Sequence, residues 1–193
     1  MPKIVMIDEK GALEAAAAAL QDGDAVVLPT DTVYGLATLP THRDLLFVLK
    51  GRPDSVPIAL LVESVRQASA LVEVTDAAAR LAEAFWPGPL TIVLPTVSGD
   101  DTLGIRCPDA AFVRQLARRV GPLAVTSANR HGVPTPVTAE DAAAALTGDV
   151  AVVVDGGPCE GTASTVVDAT KPDLPVLRVG PITHEDIEAA ALR

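Results

Sequence analysis

Short runs of β-branched and aliphatic residues alternate along the chain with Ala- and Leu-rich segments of helical periodicity. The first kind of run predicts strands and the second predicts helices. We predict strands over 25–28, 58–62, 90–94, 103–106, 123–126, 151–154, 164–168 and 175–178. We predict helices near 11–21, 42–50, 75–85, 109–120, 138–146 and 183–192, with Thr138 and Thr183 as the N-caps of the last two.

The order of these elements predicts the fold class. Strands that alternate with helices are typical of an α/β protein. The strand pairs 90–94/103–106 and 164–168/175–178 have short connections without a helical pattern, which favours antiparallel pairing. No linker and no internal repeat divides the chain. We therefore predict an α/β fold with a single-domain twisted mixed parallel and antiparallel sheet and flanking helices, over residues 1–193.

Composition narrows the function classes. The chain carries a formal net charge of −10 and only 3% aromatic residues, so its core must be mainly aliphatic. An acidic chain is a poor general binder of nucleic acid, because phosphate binding needs a basic face. The two cysteines and three histidines show no metal-ligand spacing, so we predict no protein-held metal site. The start, MPKIVMIDEK, lacks the apolar stretch of a signal peptide, so we expect a cytoplasmic protein that is not in a membrane.

Four cations stand out in this acidic background. Lys50, Arg52, Arg106 and Arg178 each lie at the end of a predicted strand or helix, beside loops rich in Ser, Thr and Gly. Lys offers a compact charge and Arg a bidentate fork, a combination that suits phosphates or a carboxylate. Together they predict one polyanion site, for which a nucleoside triphosphate is the obvious ligand. Taken singly, Lys50 and Arg52 could instead complement a helix C-terminus.

Other polar motifs follow predicted strands. The segment 29–36, PTDTVYGL, could bind a ligand, or its Asp and Thr side chains could bond their own turn. The TSAN segment that ends at Asn129 lacks both the phosphate-binding P-loop and the nucleophile elbow, which argues against hydrolysis by Ser127. Trp86 in WPGPL reads as structural, and Cys107 reads as a small buried hydrophobic residue.

Seven motifs occur in a fixed order between about residues 23 and 182. They are PTDTVYGL, KGRP, WPGPLT, the Arg-x-Pro of IRCP, SAN followed by GVPTP, GTASTVVD and LRVGP. This order resembles the YrdC family of threonylcarbamoyl-AMP synthases, in its single-domain form. The resemblance implies condensation of L-threonine, bicarbonate and ATP to threonylcarbamoyl-AMP and pyrophosphate, with Mg²⁺ accompanying the nucleotide. The product would serve N6-threonylcarbamoyladenosine formation in tRNA, so a downstream threonylcarbamoyl transferase machinery is an implied partner and tRNA is a candidate partner.

The resemblance also implies roles for individual residues. Lys50 and Arg52 would be catalytic. The threonine would contact Thr32, Arg106 and Ser164. The nucleotide would contact Arg52, Thr102, Ser127, Asn129, Thr135 and Arg178.

Three positions depart from the family pattern. Val56 stands where a Lys or Asn is usual, Ala110 replaces the usual His after Arg-x-Pro, and Val179 replaces the Pro of LRPG. Val56 favours an alternative interpretation, in which the chain is a non-catalytic YrdC-fold RNA-binding module or a divergent paralogue. The retained motif cations and the acidic net charge argue against that alternative. A purely structural α/β domain is a third interpretation, but it leaves the motif cations unexplained.

Overall fold

The computed structural model describes residues 2–51 and 57–192. Within these ranges the strands are β1 (Lys3–Met6), β2 (Val26–Leu28), β3 (Gly35–Thr38), β4 (Ala59–Leu61), β5 (Leu90–Pro95), β6 (Thr102–Arg106), β7 (Leu123–Ser127), β8 (Val152–Asp155), β9 (Thr165–Asp168) and β10 (Val176–Arg178). The α-helices are α1 (Ala12–Gln21), α2 (Asp44–Lys50), α3 (Val65–Ala68), α4 (Asp76–Phe85), α5 (Ala111–Val120), α6 (Ala139–Ala144) and α7 (His184–Ala191). None of the described helices is long and apolar enough to cross a membrane.

The described strands form one ten-stranded sheet in the order β1-β8-β2-β3-β7-β4-β6-β5-β9-β10. Parallel pairs such as β4/β6 and β5/β9 occur beside antiparallel pairs such as β3/β7. The mixed sheet with flanking helices confirms the predicted fold class. Both predicted antiparallel pairs are also confirmed, because Ile92 lies opposite Ile105 and Val176 lies opposite Val167.

The two faces of the sheet are covered unequally. On one face, helices α2, α4, α6 and α7 bury apolar residues against nearly the whole sheet, including Leu46, Leu81 and Ile187. On the other face, α1 and α5 pack over the half of the sheet that runs from β1 to β4, with Leu20 and Leu116 in their contact layer. The rest of that second face, toward β10, carries the cavity described below. Within the described residues, no helix covers this part of the sheet surface, which is therefore open to a ligand.

Three elements were missed by the sequence prediction. Strand β3 is buried along its whole length, so it lacks the alternation that marks a half-buried strand. Strand β1 is a four-residue edge strand, and α3 is a single turn of helix. The predicted N-caps are confirmed: the Thr138 hydroxyl accepts from the Asp141 N–H at 3.2 Å, and Thr183 forms a full capping box with Asp186.

Candidate active site

A cavity of about 700 Å³ lies on the open part of the sheet. Its floor uses alternate residues of neighbouring strands, because successive side chains of a strand point to opposite faces. Thus Thr102, Gly104 and Arg106 of β6 all contribute, as the sequence pattern predicts. The further polar residues along its walls are Thr30, Thr32, Arg43, Thr91, Asp101, Thr126, Ser127, Ser164, Asp168 and Arg178.

Arg106 is the buried cation of this cavity, with only 5% of its surface exposed. Its Nε donates to the Gly88 carbonyl at 3.0 Å, and one terminal nitrogen donates to the Thr32 hydroxyl at 3.0 Å. The other terminal nitrogen forms a 2.5 Å ion pair with Asp31. A buried guanidinium needs such partners, because desolvation of an unpaired charge is costly. These contacts hold the guanidinium rigidly in the cavity wall.

Arg178 reaches the opposite wall from the edge strand β10. Its Nε donates to the Ser164 carbonyl at 2.9 Å, and a terminal nitrogen donates to the Ser164 hydroxyl at 3.1 Å. The Ser164 hydroxyl also lies 2.8 Å from the hydroxyl of Thr91, which is buried in β5. Desolvation by burial, and then repulsion from Arg106, lower the pKa of Arg178 from its ordinary value. Two guanidiniums close enough to repel one another make the space between them favourable for an anion.

Lys50 is buried beside the cavity and contacts Ser127, which lines it. Only 2% of its surface is exposed. Its ammonium donates to the Ser127 carbonyl, to the Ser127 hydroxyl at 3.3 Å and to the Asn129 side-chain oxygen at 2.8 Å. Ser127 in turn lines the cavity. Lys50 therefore fixes the conformation of the SAN segment at the point where β7 ends.

The loop 29–34 is tied to the segment that follows β8. The Tyr34 hydroxyl donates to the Gly157 carbonyl at 2.7 Å and accepts from the Gly156 N–H at 3.3 Å. Burial is the main cause that raises the pKa of Tyr34 to about 12. Farther along the same segment, a Cβ atom on Gly161 would lie 2.3 Å from the Thr32 carbonyl oxygen. Glycine at 161 thus allows the two segments to pack backbone to backbone beside the cavity.

Six of the predicted site residues line the cavity together: Thr32, Thr102, Arg106, Ser127, Ser164 and Arg178. Asn129 and Lys50 contact the wall through Ser127. Thr135 is half-buried in the loop between β7 and α6 and is not among the described residues that line the cavity. Arg52 and Val56 lie outside the described residues. The roles assigned to all these residues stay predictions.

Several residues of the cavity were missed by sequence reasoning. Asp31 was visible within PTDTVYGL, but its ion pair with Arg106 joins distant parts of the chain. Arg43 lies just before α2, and no local signal connects that helix start with a cavity on the sheet. Asp168 is 8% exposed, and its carboxylate accepts from the Thr170 N–H at 3.0 Å. Arg43 and Asp168 add one cation and one carboxylate to the lining of the cavity, and Asp31 adds a second carboxylate that pairs with Arg106.

The surroundings of Cys107 agree with its predicted role as a small buried hydrophobic residue. Its side chain is buried, and the sulfur contacts the Glu63 carbonyl at 3.5 Å. Burial is the main cause that raises the pKa of this thiol. A raised pKa disfavours the nucleophilic thiolate. The prediction that Cys107 is a buried hydrophobic residue is therefore confirmed.

The carboxylates of the cavity test whether the described residues could hold the expected Mg²⁺. Among the described residues no group of three or more His, Cys, Asp or Glu side chains could hold a metal ion. Two carboxylates, Asp101 and Asp168, nevertheless line the cavity. Mg²⁺ is usually held by one or two carboxylates together with substrate phosphates, rather than by a cage of protein ligands. The side chains present therefore fit an ion that enters with a nucleotide.

Comparison with known proteins identifies the family of this α/β fold with its cation-lined cavity. Residues 18–180 match the Sua5/YciO/YrdC family, described as "Telomere recombination". The chain belongs to the Sua5/YciO/YrdC family. This membership confirms the resemblance found in the ordered motifs.

Sequence relatives in this family differ in length. The chain is 40% identical over 185 residues to a Mycobacterium tuberculosis protein provisionally named as a threonylcarbamoyl-AMP synthase, and the match covers 89% of this chain and 85% of that protein. It is 39% identical over 190 residues to the threonylcarbamoyl-AMP synthase of Bacillus subtilis, covering 90% of this chain and 55% of the relative. The chain thus spans most of the first relative and about half of the second.

Solved structures share the fold. The structure of Pyrococcus abyssi Sua5 complexed with L-threonine superimposes with a TM-score of 0.89 at 33% identity, over 98% of this chain and 60% of that one. Escherichia coli YciO superimposes with a TM-score of 0.84 at 23% identity, over 94% of this chain and 97% of that one. The second likeness shows the fold alone.

Proposed function

We propose that this protein is a threonylcarbamoyl-AMP synthase, a nucleotidyltransferase that condenses L-threonine, bicarbonate and ATP. The observation that carries the proposal is the cavity in which Arg106 and Arg178 face a common space beside Thr32 and Ser164. The sequence relatives named as threonylcarbamoyl-AMP synthases support it. The Pyrococcus abyssi Sua5 structure is a complex with L-threonine, which supports the same substrate here.

The reaction consists of two bond-forming steps. The threonine amine attacks the carbon of bicarbonate, and loss of water gives a carbamate. A carbamate oxygen then attacks the α-phosphorus of ATP, and the bond to the pyrophosphate oxygen breaks. The products are threonylcarbamoyl-AMP and pyrophosphate. Such a transfer needs proximity and charge stabilisation more than a covalent nucleophile.

The cavity residues can supply both contributions. Arg106 is held by Asp31 and Thr32 in a position to bind the threonine carboxylate. Arg178 and the hydroxyl of Ser127 would contact the phosphates, where the guanidinium charge favours departure of pyrophosphate. Mg²⁺ bound to ATP would neutralise phosphate charge. The carboxylates that line the cavity and would hold it are Asp101 and Asp168, and Asp168 also pairs with Lys171 at 3.5 Å. Arg52 remains a predicted catalytic residue.

The threonylcarbamoyl-AMP product would be consumed by a second protein. Threonylcarbamoyl-AMP is a mixed anhydride, so a transferase must deliver its acyl group to an adenosine of tRNA. We propose that this chain supplies that machinery and that direct tRNA binding is not its main task. The net charge of −10 supports this division, since a tRNA surface would need a basic face.

Pyrophosphate release tests the proposed function. The purified chain is incubated with ATP, Mg²⁺, L-threonine and bicarbonate, and pyrophosphate is measured against reactions that lack one component. We expect release only in the complete mixture. Release of ADP instead, or no turnover under any condition, would favour the non-catalytic module or divergent paralogue.

A further inference from the structure

A second cavity, of about 420 Å³, lies between the edge strand β1 and helix α6. We call it the α6 groove. It lies on the opposite face of the sheet from the candidate active site, because Val5 packs under α1 and the preceding side chain of the strand, Ile4, points the other way. The apolar part of its lining includes Pro2, Ile4, Ala143, Leu146 and Val150.

Strand β1 leaves apolar side chains exposed beside this groove. Helix α6 packs on β8 and β2, and no described helix continues that layer over β1. Ile4 and Met6 therefore keep 45% and 50% of their surface exposed, although both are large apolar residues. A contiguous exposed apolar surface of this kind is typical of a contact site for another molecule.

The backbone of β1 disfavours the addition of a partner strand. The Lys3 N–H donates into the sheet at 3.1 Å, so Pro2, Ile4 and Met6 direct their backbone groups to the free edge. Pro2 has no N–H, and both backbone groups of Met6 are bound by Glu9, at 3.4 and 3.0 Å. Within the described part of β1, Ile4 is then the one residue with both groups available. Such an edge is too short for strand pairing.

A small molecule also fits this groove poorly. Small-molecule sites orient their ligands with a few precisely placed polar groups. The hydroxyl of Thr147, in the lining, is directed instead at the carbonyls of Val48 and Leu49, at 2.7 and 3.0 Å. The described lining thus offers apolar surface and a charged rim rather than a polar anchor.

The rim of the groove is acidic. Glu140 and Asp149 are exposed there, and neither forms an ion pair with a described residue. No Lys or Arg is among the described residues of the lining. A second copy that docked by this face would bring the same carboxylates together, because a twofold contact repeats one patch. The net charge of −10 adds to that repulsion, so the charge pattern favours a basic partner.

We propose that the α6 groove is a docking site for a basic amphipathic helix of a partner protein. The apolar stripe of that helix packs on Ile4, Met6 and Leu146 and continues the helix layer past α6. Lys and Arg residues beside the stripe pair with Glu140 and Asp149. The contact leaves the candidate active site accessible, because that cavity lies on the other face of the sheet. The inference does not depend on the synthase activity.

Three labelled peptides of about 14 residues test the groove by fluorescence anisotropy on the full chain. The first peptide places Leu on one face of a helix and Lys on the other. The second has Glu in place of every Lys, and the third has the Leu and Lys of the first in strict alternation, which suits a strand. We expect the first to bind at least about tenfold tighter than either of the others. Tighter binding of the second would overturn the charge assignment, and tighter binding of the third would overturn the helix.

Variants of the groove locate the bound peptide. Ile4→Ser should weaken binding of the first peptide by at least about tenfold, and Glu140→Lys combined with Asp149→Lys should weaken it by a similar factor. Thermal unfolding checks the fold of each variant. If Ile4→Ser does not fold, the charge-reversed pair decides.

Matched control variants separate docking from general attraction. Val65→Ser removes an apolar side chain that is 43% exposed on α3, and Glu73→Lys combined with Glu83→Lys makes the same charge change at exposed positions outside the groove. Both controls should leave the Kd of the first peptide within about twofold. Equal losses of affinity in the groove and control variants would show that an acidic chain merely attracts a cationic peptide, and would overturn the docking site.

Two further measurements complete the test. Analytical ultracentrifugation examines self-association, and a wild-type dimer that Ile4→Ser dissociates would overturn the partner helix in favour of a second copy. Pyrophosphate release by Ile4→Ser should stay within about twofold of the wild-type rate, since the groove lies away from the candidate active site. Peptide binding at the groove without pyrophosphate release by the wild type would contradict the proposed function and support the docking site.

Discussion

Removal of the Arg178 guanidinium should weaken catalysis far more than folding. Arg178 lies on the edge strand β10 and its side chain is only partly buried, so Arg178→Ala leaves no enclosed cavity. Its partner Ser164 keeps the hydroxyl contact with Thr91 at 2.8 Å. Loss of a charge-assisted contact to a phosphate in a partly desolvated site costs about 2–4 kcal/mol. We therefore expect kcat/KM to fall by a factor of about 30 to 1,000.

The assay is steady-state pyrophosphate release, with circular dichroism and thermal unfolding as checks on the fold. Arg119→Ala is the matched control, because Arg119 pairs with Glu14 at 3.0 Å between α5 and α1, outside the cavity. It removes the same charge from the chain and should leave kcat/KM unchanged within about twofold. Arg178→Lys should recover only part of the activity, since a Lys cannot make the bidentate contact. Unaltered kinetics in Arg178→Ala would show that the anion does not bind at this wall.

Three further predictions address other parts of the site. Folding stability should fall by at most about 2–3 kcal/mol as pH rises from about 10 to about 12, because burial raises the pKa of Tyr34 to about 12 and the phenol therefore ionises first in the unfolded state. Tyr34 is the only tyrosine, so phenolate absorbance reports it alone, and Tyr34→Phe should remove the effect. Arg43→Ala should raise the KM for ATP about threefold to tenfold while exposed Arg66→Ala does not, and equal effects would refute a role for Arg43. Gly161→Ala should displace Thr32 and raise the KM for threonine at least tenfold, or about 1.4 kcal/mol, and an unchanged KM would contradict the close packing.

Much of the fold follows from local patterns. The strands β5, β6 and β8 and helices α1, α4 and α5 were predicted within a few residues, because each has a clear period or β-branched run. Strand β3 was not predicted, because its Gly35 and Thr38 look like loop residues and its burial on both faces depends on neighbours β2 and β7. Whether a short segment pairs depends on the rest of the sheet, which a local pattern does not contain.

The residue types of the site could be predicted from the sequence, but several contacts between them could not. Motif residues such as Thr32, Arg106 and Ser164 were predicted to share a site, and they do line one cavity. The ion pair between Asp31 and Arg106 was not predicted, because the loop before β3 and strand β6 meet only through the sheet order. Nor could the sequence indicate that Lys50 would be enclosed by the SAN segment instead of reaching the cavity surface. The sequence gives the residue types of the site but not the distances between the chain segments that carry them.

The strand order of the cavity floor has a consequence for how the protein is made. The walls combine Gly35, early in the chain, with Arg178, whose strand pairs only with β9 at the end of the sheet. A nascent chain emerges from its N-terminus, and non-local strand pairing is slow. The wall that contains Arg178 therefore cannot form until the strand β10 has been made. A ligand at a concentration of 100 times its Kd stabilises the folded state by about 2.7 kcal/mol. Because only molecules with a complete site bind it, we expect substrate to protect the fully folded protein against proteolysis and not its incomplete forms.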